Sequence, residues 1–161
     1  MRTHSPAVLL ASLFALWAAP ETHAQSIDDS ARLSGVERVQ VRAEAQWDEM
    51  ITMSAGGATQ DQFRQALQQT FEETIASADA APSVVPGADA TITCHVDTFY
   101  EAGQIIYGLR TQLERVGADG ESVIVWIKSW VGNFNVQQMH VMFTLGEQCA
   151  ESFLEDWRSA N

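Results

Sequence analysis

The stretch ATITCHVDTFYE, residues 90–101, places Cys94, His95 and Asp97 within four positions. Successive side chains on a strand point to opposite faces. Read as a strand, Ile92, Cys94 and Val96 share one face, and Thr93, His95 and Asp97 share the other. Cys94 then points away from His95, so the imidazole cannot serve as its base within hydrogen-bond reach. A reactive thiolate also needs an exposed, electropositive setting, whereas the apolar neighbours put Cys94 on the core side. His95 and Asp97, two apart on one face, make half a metal site. A zinc site takes about three or four protein ligands, and nothing nearby in sequence supplies the rest. The expectation is a solvated histidine beside a carboxylate, with no metal and no cofactor.

Working outward, a turn at Glu101-Ala102-Gly103 leads into a second strand. There Ile105, Tyr107, Leu109 and Leu113 alternate with Gly108, Arg110, Gln112 and Glu114. GADG, residues 117–120, is a second turn, and SVIVWIKSWV, from residue 122, is a third strand rich in β-branched and aromatic residues. Turns this short predict an antiparallel meander. Upstream, Val39, Val41, Ala43, Ala45 and Trp47 alternate with polar partners, so the odd positions of another half-buried strand face the core. DEMITMSAGGA, residues 48–58, is ambiguous.

Thr59 opens the clearest helix, with Gln62 placed for a capping box. Phe63, Ala66, Leu67, Phe71, Ile75 and Ala78 fall on its apolar face. Two prolines and a glycine then make residues 77–90 a surface loop. From residue 135 onward, Met139, Met142, Phe143, Gly146, Cys149, Ala150, Phe153, Leu154 and Trp157 recur at spacings of three and four. They predict one long closing helix, with Gly146 allowing a close helix-to-sheet contact. The expected fold is α+β: a two-layer sandwich in the order β-α-β-β-β-α, with a mixed four-stranded sheet and helices on one face.

The first residues, MRTHSPAVLLASLFALWAAPETHA, join a basic start, an apolar run and small residues before position 25. They read as a secretory signal of residues 1–24, too short for a spanning helix. No cysteine follows the run to carry a lipid anchor. Residues 25–35 are expected to form a flexible leader, and 36–161 a single domain in the periplasm or outside the cell. The net charge is −12, and Lys128 is the single lysine among nine basic residues. That balance argues against nucleic acid and anionic lipid, which need the opposite sign. It also resembles the surfaces of proteins from salty habitats, where carboxylate repulsion is screened. Two cysteines in an exported chain pair more often than not, and the closing helix brings Cys149 to the face of Cys94. A disulfide is the preferred reading, two inert buried thiols the other.

The strand VWIKSWVGNFN followed by a helix carrying CAESFLEDWRSAN resembles the close of a group of small exported bacterial proteins of unknown function. The order of elements is also similar to the amino-terminal domain of TolB and to outer-membrane lipoproteins that activate penicillin-binding proteins. Those lipoproteins carry a lipidated cysteine that this chain lacks.

No phosphate loop, nucleotide fingerprint, HExxH or GxSxG occurs. The chain is therefore expected not to be an enzyme. It is expected to bind a protein or cell-envelope partner, or a second copy of itself, through the open sheet face. If Val123, Val125 and Ile127 pack under the helices, then Trp126, Lys128 and Trp130 lie on that open face with Phe99 and Ile106, as an exposed apolar patch. Cover by the leader or by residues 48–54 is the competing reading. A small-ligand pocket or a hydrolase with an atypical site is the alternative function.

Overall fold

The computed structural model describes residues 30–54 and 59–161. The expected signal, residues 1–24, lies outside them. Five strands form one mixed sheet in the order β2-β1-β3-β4-β5: β1 Arg38–Gln46, β2 Ser83–Val84, β3 Ala90–Glu101, β4 Gln104–Val116 and β5 Ser122–Asn135. β1 runs parallel to β2 and β3, and β3, β4 and β5 form an antiparallel meander. Three helices complete the domain: α1 Glu49–Ser54, α2 Gln60–Ser77 and α3 Leu145–Ala160.

The α+β class, the mixed sheet and the meander agree with the expectation, but the sheet has five strands rather than four. The extra strand lies in the loop between α2 and β3. Ser83 and Val84 pair with Arg38 and Val39, a contact too short to leave an alternating signal. The ambiguous segment after β1 forms α1, which buries Ile51.

The β3–β4 turn is a two-residue hairpin in which Ala102 and Gly103 take φ values of 49° and 82°. This left-handed geometry matches the twist of the flanking strands. Thr59 starts α2 as expected: its Oγ1 accepts from the Gln62 amide at 3.2 Å, and Gln62 Oε1 accepts from the Thr59 amide at 2.9 Å. Phe63, Leu67, Phe71 and Ile75 form the buried face of α2.

The expected single closing helix is two elements. Residues Val136–Thr144 form a 3-10 segment capped by Asn135, with Gln138 at non-helical angles (φ −100°, ψ 31°), and α3 begins at Leu145. Gly146 makes a close approach to α2, not to the sheet. A Cβ there would sit 2.6 Å from the Leu67 carbonyl oxygen and 3.1 Å from the Phe71 nitrogen.

The core lies between the sheet and the pair α2 and α3. Val39, Val41 and Ala43 of β1 enter it, as do Ile92, Cys94 and Val96 of β3 and Ile105, Leu109 and Leu113 of β4. Cys94 and Cys149 are joined in a disulfide linking β3 to α3, with 5.9 Å between their Cα atoms. Residues 30–35, assigned by sequence to the leader, are tied in at this end. Leu33 is fully buried. Asn161 Oδ1 accepts from the Gly35 amide at 3.0 Å, and its Nδ2 donates to the Leu33 carbonyl at 3.3 Å.

Candidate functional site

The face of the sheet away from the helices is built by alternation. Cross-strand pairing sets Phe99 of β3 opposite Ile106 of β4, and Gly108 between Asp97 and Val131. Arg110 lies between His95 and Ser129, and Gln112 opposite Ile127. Phe99 is 61% exposed and Val131 58%. With Ile106 they make an apolar corner around Gly108, where a Cβ would meet open space. Phe99 and Ile106 are thus where the sequence placed them.

Trp126, Lys128 and Trp130 are not. They pair with Leu113, Thr111 and Leu109, on the helix side of the sheet. The register shifts between Leu113 and Glu114, so that Ile124 pairs with Glu114 and Val125 is the extra residue of a bulge. The bulge exchanges the two faces of β5: beyond it Ile127 and Val131 take the open face and the tryptophans turn inward. Trp126 is 2% exposed and packs edge-on to Phe153 of α3, with ring centroids 5.8 Å apart. Lys128 Nζ reaches Glu155 and Asp156, each at 3.3 Å. Phe153 and Asp156 of α3 cover Trp126, and residues Ser30–Leu33 of the expected leader also pack against β5. Trp130, half-buried, lines a groove of about 570 Å³ between β5 and α3, together with Lys128, Gln148, Glu151, Ser152 and Glu155.

Beside the apolar corner the open face turns polar. A hollow of about 490 Å³ is lined by Glu44, Gln46, Gln60, His95, Asp97 and Arg110. His95 Nδ1 lies 3.0 Å from Glu44 Oε2, while its Nε2 is buried with no hydrogen-bond partner among the described residues. Burial first, then the Arg110 guanidinium, holds the imidazole below its ordinary pKa, against the opposite pull of Glu44, Asp97 and Glu114. Among the described residues no three His, Cys, Asp or Glu side chains are grouped to hold a metal ion. No described helix is long and apolar enough to cross a membrane.

No family model matches the chain, and no curated protein matches it. Solved structures give faint likenesses. A PelC dodecamer from Paraburkholderia phytofirmans is 16% identical with a TM-score of 0.42, covering 72% of this chain and 86% of that one. A substituted PelC dodecamer from the same organism is 14% identical at a TM-score of 0.43, over 72% and 85% of the chains. An uncharacterised protein is 12% identical at 0.39, over 78% and 92%. Likeness at this level carries no argument about function, and it does not bear on the resemblance to TolB or the lipoprotein activators.

Two features escaped the sequence reading. The groove at Trp130 depends on the bulge, and a bulge inside an all-apolar strand leaves no local mark. Glu44, Gln60 and Arg110 come from three separate elements, so their meeting had no signature in spacing.

Proposed function

We propose that this is an exported, non-catalytic domain that binds a protein or cell-envelope partner through the open sheet face. The observation that carries the reading is one-sided cover: both long helices pack on one face, leaving Phe99 and Val131 more than half exposed on the other. Contiguous exposed apolar patches mark partner contacts. The binding centre moves from the tryptophans to Phe99, Ile106 and Val131. The disulfide supports export, because such bonds persist in oxidising compartments. Pull-down from an envelope extract, comparing intact protein with a Phe99→Asp, Val131→Asp variant, tests it. The partner should be lost with the variant, while the thermal transition stays in place because both side chains are exposed. Equal capture by both proteins would overturn the reading.

The alternative, a small-ligand site, is supported by one observation: the polar hollow with its His95 Nε2, unpartnered among the described residues. It predicts that His95→Gln and Arg110→Ala remove binding of a small polar molecule, and that Phe99→Asp does not.

A further inference from the structure

The two edges of the sheet are finished differently. One ends in β2, only two residues long. Among the described residues the other ends in β5, fourteen residues long and paired on one side only, with β4. An unpaired edge presents a row of backbone donors and acceptors, and proteins usually blunt it with short strands, bulges, prolines or free lysines. β5 contains no proline, and its bulge lies at Val125, leaving Ile127–Phe134 unbroken. Its one charged residue, Lys128, does not guard the edge, because Glu155 and Asp156 hold its ammonium.

The groove beside that edge has a definite chemistry. Trp130 lines it with Glu151, Glu155 and Lys128; Glu155 shares its carboxylate with Lys128, which leaves the Glu151 carboxylate to a partner. An indole and a nearby carboxylate together suit the aliphatic stem and cationic head of a lysine or arginine. The chain as a whole carries −12, so a second copy meets like charge while a basic segment is attracted. The turn of residues 30–33 packs against β5 and the Asn161 end of α3, whereas the groove residues Gln148–Glu155 lie earlier on that helix.

We infer that the β5 edge over Ile127–Phe134 accepts an extended, basic segment of a partner protein as a sixth strand. Alternate basic side chains of that segment enter the Trp130 groove. Backbone pairing supplies affinity and the groove supplies selectivity, the two parts of strand addition. The inference concerns a surface separate from the Phe99 corner and stands or falls without it.

The test uses the intact exported protein and a fluorescent peptide of about eight residues alternating lysine and valine, a strand-length segment. Two derivatives carry N-methyl groups on alternate residues, one on each edge of the extended peptide. Fluorescence anisotropy should show binding of the parent and of one methylated form, and loss of binding by the other, since only one edge of the peptide faces β5. Trp130→Ala should weaken binding about tenfold, and Glu151→Lys about threefold at low salt. Phe99→Asp should leave it unchanged. Equal binding of both methylated forms, or equal binding of a glutamate–valine peptide, would overturn the inference. So would failure of the parent peptide to bind, or a dimer of the native protein dispersed by Trp130→Ala, which would give the edge to a second copy.

Discussion

The indole Nε1 of Trp126 donates to Oδ2 of Asp156 across 3.1 Å. Asp156 thereby joins the middle of β5 to the last turns of α3, and its Oδ1 accepts from Lys128 Nζ. Trp126 is buried, and its N–H is matched by that carboxylate. Asp156→Ala should cost about 1–3 kcal/mol, the penalty for an unmatched buried donor, read from urea unfolding. In a Trp126→Phe background the same substitution should cost clearly less. Equal costs in the two backgrounds would assign the effect to Lys128 or to helix propensity.

Gly146 makes an opposite forecast to the one helix propensity gives. Alanine at an ordinary helical position is favoured over glycine by about 1 kcal/mol. Here the added methyl meets the α2 backbone at Leu67 and Phe71, which cannot swing aside as a side chain does. Gly146→Ala should therefore lower stability by about 1–3 kcal/mol, the range for overpacking. A raised melting temperature would mean that α2 and α3 part at little cost.

The Cys94–Cys149 bond closes a separation of 55 positions and ties the centre of the sheet to α3. Reduction, or the paired Cys94→Ala, Cys149→Ala change, should cost about 2–4 kcal/mol. The urea midpoint with and without reductant checks it. An unchanged midpoint would contradict a bond that constrains the unfolded chain.

His95 gives a pH dependence with a defined sign. Its folded pKa lies below the ordinary 6.5, mainly through burial and then through Arg110. Below 6.5 the unfolded chain binds a proton that the folded chain resists, so stability falls as pH drops through that value. The loss levels off below the folded pKa. His95→Gln should flatten this part of the stability–pH curve relative to the native protein. Parallel curves would contradict this role for His95.

The period-two and capping signals made most of the fold legible. Val39, Val41 and Ala43 face the core as their alternation requires, and the Thr59–Gln62 box starts α2 where it should. The disulfide followed because Cys94 falls on the apolar face of β3. The faces of β5 were harder to assign. Val123, Ile124, Val125, Trp126 and Ile127 are all apolar, so nothing local says which way they point. The decision belongs to groups far away in sequence: Leu113 through register, and Phe153 and Asp156 through packing. Part of the open patch survived because Phe99 and Ile106 flank a hairpin whose register its two-residue turn fixes. Val131 and the polar hollow around His95 required the assembled sheet.

Asn161 spans the gap between the ends of the described domain. Its amide holds Leu33 and Gly35 while its neighbour Trp157 donates to the Val36 carbonyl at 2.8 Å. Topologically residues 30–161 are almost a ring, with the point of closure at one side chain. A permutant that links the two ends there and opens at the Gly117–Gly120 turn would keep every strand beside its present neighbours. The order in which the strands leave the ribosome would change, and the meander would be split between first and last. Comparing the refolding rates of the two connectivities would show whether β4–β5 pairing or the β1–α2–β3 unit organises the fold.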